Sequence, residues 1–540
     1  MELPRGRRRE VASALAGWMA DPDEVTAVWE TLPKMEQRAL ADLLSSGGRM
    51  PWRTFTRRWG EVRTMGPARL DRERPWEQPV SSAEALWYRG MFFRDLEEDR
   101  DGLREVAVVP NELRRALPSP PSPALRPSAA PAPRYPYPAS DALLDDGCTL
   151  LAYLQNHQVK PDTERKWPAQ HEAALLRRLR DPAQCRLALL RHLARRLGWL
   201  YTVSSGHLRP EPESATHWLQ APAQEQRQAL AAAWRDDPTW NDLWRVPSLR
   251  ADDTGSWYND PLRARRAILH HLTACQVGSW YSLDDFAAAV KECDPDFQRP
   301  DGDYDSWYIR DAFTGEYLSG FDSWEAVEGA LIRYLITRPM AWLGLMDLGA
   351  ERETGPVVTF RLSNAGATFL ELMEPQPVAE SSPLTVRSDL TILIPPARRY
   401  ERFQLSRVAD WVHTGDPYVY RLTPASLTRA RRQSISTQRV WDFLESESQE
   451  QLPGSLRRAL TRWEERGAEI QLERGVLLRV RDERLLRRLT KSPATRRFVA
   501  EVIGPKAALI APADWPRLAR ALVEEGLLPD VLGLGEECEI

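Results

Sequence analysis

LTVRSDLTILIPP, residues 384–396, alternates apolar and polar side chains and then runs apolar into a proline pair, the pattern of a strand that becomes fully buried. YERFQLSRVADWVHTG (400–415) follows with helical spacing and a closing Gly415. DPYVYRLTPASLTRARRQS (416–434) reads as a short strand and then a basic helix, with Thr423 as N-cap and Pro424 in the first turn, where its missing N–H is no loss. Two more helices, STQRVWDFLESES (436–448) and LPGSLRRALTRWEERG (452–467), lead to an EIQLERGVLLRVRD hairpin (469–482) and a closing α+β stretch that ends near residue 530.

Upstream of this segment one pattern recurs three times: amphipathic helices, an aromatic or glycine step, then two short apolar strands around a polar loop. In the first copy, VTAVWETL (25–32), KMEQRALADLLSSGG (34–48), WRTFTRRW (52–59) and SSAEALWYRG (81–90) precede a strand MFFR (91–94), a loop DLEEDRDGLR (95–104) and a strand EVAVV (105–109). In the second, the helix QCRLALLRHLARRLG (184–198) leads to WLYTV, an SSG turn and HLRPE. In the third, SWEAVEGALIRYLITRP (323–339) leads to WLGLMDL, a GAERETG loop and PVVTFRLS. Helices followed by a strand–loop–strand wing make a winged helix, in which the hairpin covers the core exposed beside the last helix. PSPPSPALRPSAAPAPRYPYP, from residue 118, is saturated with Pro, Ala and Ser and is expected to form neither helix nor ladder. The predicted organisation is mainly α, of the α+β class. Winged-helix-like units occupy 1–117, 141–250 and 251–373, with a linker at 118–140 and a final α+β domain at 384–530.

The final segment carries a resemblance. V-R-S-D-L-T-I-L-I-P (386–395), Y-R-L-T-P-A-S-L (420–427) and W-D-F-L-E-S-E-S with L-P-G-S-L (441–456) resemble, in order and spacing, the N-terminal domain of XPB-type DNA repair helicases. The chain is also similar to bacterial helicase-associated proteins in which that domain stands alone behind helical units. A helicase motor needs G-x-x-x-x-G-K-[ST] and an acidic metal-binding box. The nearest stretch, GPKAA (504–508), lacks the second glycine and the hydroxyl residue, so no ATPase is expected. In the eukaryotic factor to which such helicases belong, this domain docks on a related one in a subunit that also carries winged helices. The resemblance therefore implies a docking role, with a helicase or transcription/repair protein as partner.

At 540 residues, 42% hydrophobic and 28% charged, the chain is of globular composition and long enough for several cores. Its Arg-over-Lys, Trp-rich usage is that of a GC-rich bacterial genome. The five scattered cysteines form no C-x-x-C pair, and a reducing cytoplasm is expected. MELPRGRRRE is followed by no apolar signal core, and no membrane partner is expected. Net charge is uneven: roughly +2 over 1–140, −10 over 141–384, +7 over 385–530 and −3 in the last ten residues.

No catalytic constellation, metal site or cofactor motif is found. His270 and His271 are adjacent and point to different helix faces, and His171-Glu172 has no second histidine to complete H-E-x-x-H. Asp301, Asp303 and Asp305 lack the glycine and glutamate of a calcium loop. The candidate phosphate contacts are arginines: Arg53, Arg57 and Arg58 in the first unit; Arg191 and Arg195 in the second; Arg398, Arg399, Arg429, Arg431 and Arg432 in the last domain. Ordinary solubilising arginines are the competing account of all of them. The third copy, with two glutamates opening its helix, is expected to repel phosphate. Trp257, Tyr258, Trp280, Tyr281, Trp307 and Tyr308 mark a core with protein-interface character. Together these point to a non-catalytic DNA-repair or transcription-associated adaptor that docks a helicase and binds DNA weakly and without sequence preference. The alternative is a winged-helix transcriptional regulator that acts alone and reads sequence through Arg191 and Arg195.

Overall fold

In the computed structural model the stretch 384–396 is a hairpin and not the single strand its alternation suggests. Thr385–Val386 pairs antiparallel with Thr391–Ile394. Asp389 accepts from the Thr391 amide at 3.1 Å, and Leu390 takes a positive φ of 66°. An Asx-type turn of this kind reverses the chain without breaking the alternation on either side, which is why the alternation hid it. The structure describes residues 8–19, 21–99, 102–117, 125, 127–162, 166–252, 254–255, 257–299, 301–376, 381–467, 469 and 475–532. The chain is mainly α and of the α+β class, with 48% helix against 16% strand among the described residues. It forms two compact units, Met1–Pro453 and Gly454–Ile540.

The hairpin continues into a four-stranded antiparallel sheet in the order Thr385–Val386, Thr391–Ile394, Tyr418–Arg421, Asp410–His413. The helix expected over 400–415 stops early: it spans Arg399–Val408, and Asp410–His413 is a strand paired with Tyr418–Arg421. A Trp and a β-branched Val beside an open sheet edge gain more as a strand than as a last helical turn. Thr423 caps the next helix, Pro424–Arg432, as expected, accepting from the Ser426 amide at 3.0 Å, with the Thr423 amide donating in return to the Ser426 hydroxyl.

At the other end of the first unit, helices Pro22–Thr31, Lys34–Ser45, Trp52–Trp59 and Ser82–Tyr88 enclose Leu40, Leu43, Phe55, Leu86 and Phe92. A three-stranded sheet, Arg49–Pro51, Gly102–Val108, Phe93–Asp99, closes this core. The expected loop 95–104 is mostly strand. Its charges pair across the ladder, Glu97 with Arg104 at 3.0 Å and with Arg49 at 3.3 Å, and Arg94 with Glu105.

The Pro-rich segment departs most from expectation. Ala129–Ala130 pairs with Trp280–Ser282 and Tyr135–Tyr137 pairs with Met346–Ala350, so it supplies both edges of a five-stranded sheet. An edge strand needs only one line of backbone partners, so proline is tolerated there. Between the two edges the segment passes over the sheet, with Pro133 lying on Gly349. A Cβ on Gly349 would come within 2.3 Å of the Pro133 Cγ, and glycine alone admits that approach. Residues 118–124 and 126 of the expected linker lie outside the described residues, as do 470–474 of the expected 469–482 hairpin.

From Leu125 to Phe403 the buried apolar side chains form one continuous core. At its centre the helix Ala142–Asn156 is buried along most of its length and packs against Arg399–Val408. The helix Gln184–Arg196 buries Leu187, Leu190 and Leu193 as expected. Residues 325–340 include two π-helical turns, Glu325–Gly329 and Ile336–Met340, the second accommodating Pro339. No helix of the described residues is long and apolar enough to cross a membrane.

The second unit has the helix Gly454–Arg466 and a three-stranded antiparallel sheet in the order Val476–Arg479, Ala507–Ile510, Val499–Gly504. Helices Glu483–Lys491 and Trp515–Glu524 bury Leu489, Leu518 and Leu522 with Phe498 and Ile510.

Candidate nucleic-acid interface

The arginines expected to meet phosphate are, for the most part, already engaged inside the protein. On the helix Trp52–Trp59, Arg53 pairs with Asp303 at 3.1 Å and Arg57 with Asp296 at 2.6 Å. Arg57 also donates to the Gly302 carbonyl, and its guanidinium lies 4.9 Å from the Tyr304 ring and 4.7 Å from that of Phe321. Arg58 pairs with Asp42 at 2.8 Å and donates to the carbonyl of Glu292, while the Thr54 hydroxyl donates to Asp296 at 2.6 Å. This face of the N-terminal helices is thus a seam to the acidic loop at 296–303. Local sequence carries no link between residues 239 positions apart, so these arginines resemble a free basic patch until the chain is folded.

Arg191 is buried, paired with Glu172 and stacked 4.2 Å from the Trp167 ring. Arg195 is half-buried. Arg399 is 2% exposed; its Nε meets Asp145 at 2.9 Å, and its two Nη groups meet Asp141 at 2.9 Å and Gln226 at 3.2 Å. Arg398 bonds Glu447 at 2.7 Å and the Ser382 carbonyl. Arg429 bonds Asp410 at 2.7 Å and caps the Ala409 carbonyl. Arg431 and Arg432 are exposed. The guanidinium groups of Arg191 and Arg399 are thus committed to carboxylates inside the fold and withheld from any large polyanion.

The other candidate groups divide similarly. Asp303 is taken by Arg53, and the described residues hold no cluster of three or more His, Cys, Asp or Glu side chains able to share a metal ion. His271 bonds Asp294 at 2.9 Å. Glu328, one of the two glutamates opening the third copy's helix, is buried against Arg299 at 2.6 Å. Trp280, Tyr281 and Trp307 are core, whereas Tyr258 and Tyr308 are exposed. GPKAA lies at the turn between Val499–Gly504 and Ala507–Ile510, not ahead of a helix where a phosphate loop would sit.

Among the described residues, an exposed concentration of positive charge lies elsewhere, in the second unit. Leu486 and Leu489 anchor the helix Glu483–Lys491 in the core, so Arg484, Arg487, Arg488 and Lys491 face water. Asp482 caps the helix by accepting from the Leu485 amide at 2.9 Å, and the cations gather toward the C-terminal end, where the helix dipole favours them. Arg487 pairs with Glu483 at 2.5 Å. Arg484, Arg488 and Lys491, with Arg496 and Arg497 in the following turn, have no carboxylate partner among the described residues. The run ERLLRRLTKSPATRR (483–497) signalled this in sequence: six cations against one glutamate, with leucines at a helical interval.

Residues 384–503 match a family model described as the helicase conserved C-terminal domain. The match begins in the four-stranded sheet and ends in the second unit, beyond the basic helix. Curated proteins yield no match to this chain. The C-terminal part of the chain, over residues 384–503, is therefore helicase-related.

Proposed function

We propose that the chain is a non-catalytic adaptor in DNA repair or transcription. In this reading it docks a helicase, of the XPB type by the resemblance of its C-terminal segment, and holds nucleic acid weakly through the helix Glu483–Lys491. The observation that carries it is the helicase-related match over 384–503 in a chain where no lysine follows a glycine, so that no G-K-[ST] phosphate loop can be written anywhere along it. The helix-and-hairpin units upstream act as winged-helix scaffolding in this reading. Arg53, Arg57, Arg58 and Arg191 in these units are spent on internal partners, which disfavours a regulator reading sequence through Arg191.

Exposed arginines without fixed partners favour phosphate binding independent of sequence. The test is fluorescence anisotropy with random-sequence DNA, in single and double strands, across a salt series. Arg484→Ala, Arg488→Ala and Lys491→Ala together should reduce the slope of log K against log salt by about 3, close to one for each phosphate that is no longer neutralised. Arg191→Ala should leave that slope unchanged. Equal binding by the triple variant and the parent chain would remove the nucleic-acid half of the proposal. In a parallel assay, an XPB-type helicase from the same organism should form a complex with the chain and change its ATP hydrolysis. No complex and no change would remove the adaptor half.

A further inference from the structure

The first unit holds a cavity of about 230 Å³ between the helix Ala142–Asn156, the end of Arg399–Val408 and the strand Asp410–His413. Its walls include Tyr153, His157, Arg178, Asp410, Trp411 and Arg429. The guanidinium of Arg178 stands 5.2 Å from the ring of Tyr153 and 5.1 Å from that of Trp411. It has no carboxylate partner among the described residues; its hydrogen bond is from Nη1 to the Ala174 carbonyl at 2.8 Å. Partial burial pushes this guanidinium below its ordinary range, as expected of a cation deprived of water and given no counter-ion.

The surroundings are built rather than incidental. Trp411 donates to the Thr414 hydroxyl at 3.1 Å, and that hydroxyl donates to the Arg178 carbonyl at 2.7 Å, which ties ring and cation together. Tyr153 stacks on His157 with ring centroids 4.0 Å apart, and its hydroxyl bonds Nδ1 of His171 at 2.8 Å. His157 Nδ1 bonds the Tyr153 carbonyl at 2.9 Å, which leaves Nε2 as its open position. Arg429 holds Asp410, yet its buried Nε has no acceptor. Arg178 and Arg429 against Asp410 leave one positive charge on the wall, and the exposed neighbour Arg177 adds a second.

We propose that this cavity binds a phosphate monoester group, seated on the guanidinium of Arg178. A phosphate monoester carries about −1.5 to −2 at neutral pH and offers three acceptor oxygens, matching the excess charge and the guanidinium donors of Arg178 that Ala174 does not take. The volume exceeds that of the phosphate alone and falls just below the usual range for organic ligands, so the rest of the ester must be small or lead outward. The group can arrive free, on a small metabolite or at a nucleic-acid end.

Isothermal titration of the full chain distinguishes these sources with five probes: inorganic phosphate, AMP, adenosine, and one oligonucleotide with a 5′-phosphate or a 5′-hydroxyl. At least one phosphate probe should bind saturably, and adenosine should not. Arg178→Gln should weaken that binding by about tenfold or more, the loss expected of a charge-assisted hydrogen bond, with Arg178→Lys retaining part of it. Should Arg178→Gln not fold, Trp411→Leu removes one flanking ring without changing charge and should also weaken binding. No saturable binding by any phosphate probe up to ~10 mM, or unchanged affinity in the folded variants, would overturn the assignment.

Discussion

Arg398 and Arg399 are neighbours in sequence, and replacing each with alanine should have sharply different consequences. Arg399 is 2% exposed and faces Asp145, also 2% exposed, at 2.9 Å, with Asp141 and Gln226 completing its bonds. Its removal leaves the Asp145 carboxylate buried, with Arg180 at 4.0 Å as its remaining ion-pair partner. Breaking one side of a buried ion pair costs about 3–5 kcal/mol, because the remaining charge keeps its desolvation penalty. Arg398 pairs with Glu447 at 2.7 Å, both groups about a quarter exposed, where water takes over much of the interaction. Its removal should cost about 0.5–1 kcal/mol. Urea denaturation followed by far-ultraviolet circular dichroism measures both, with the transition midpoint compared at constant slope. Arg399→Met with Asp145→Leu should recover most of the loss, since an apolar pair of similar volume removes the stranded charge. Equal midpoints for the Arg398 and Arg399 variants would refute the reasoning. So would an Arg399→Ala chain of unchanged stability and weakened DNA binding, which would return that residue to a phosphate role.

Three further outcomes are expected. Arg57→Ala and Asp296→Ala should each loosen the seam between the N-terminal helices and the 296–303 loop, raising hydrogen exchange in Trp52–Trp59; the double variant should lose less than the sum, since the two groups meet at 2.6 Å. Gly349→Ala should cost about 1–3 kcal/mol by forcing Pro133 off the sheet, and limited proteolysis should then cut within 129–137; a Pro133→Ala change in the same chain should restore part of the loss. Burial pushes the Asp146 carboxyl up to about 6 despite Arg186, so the folded state binds a proton that the unfolded chain has released between about pH 4 and 6. Stability from this group therefore rises as pH falls through that window, and the Asp146→Asn chain, compared by denaturation at pH 7 and pH 5, should lack the gain.

What the amino-acid order determined by itself was local. Pro424 behind Thr423 placed a helix start that the structure reproduces hydrogen bond by hydrogen bond, because a cap depends on residues three positions apart. The leucine interval in 184–196 and the recurrent helix-then-hairpin pattern gave the mainly helical α+β class for the same reason. The helicase-related character of 384–503 was also legible, since motif order survives without knowledge of which residues touch. The partners of the arginines were not. Arg57 meets a carboxylate 239 positions away and Arg399 one 254 positions away, and a guanidinium reads alike in sequence whether it faces water or a buried aspartate. The Pro-rich strap was missed because proline forbids a central strand but not an edge, and only the completed sheet decides which positions are edges. Tertiary structure thus chose, among many similar arginines, which neutralise the interior and which, on the helix Glu483–Lys491, stay in water, because only the folded chain sets the distance between opposite charges and the solvent left around them.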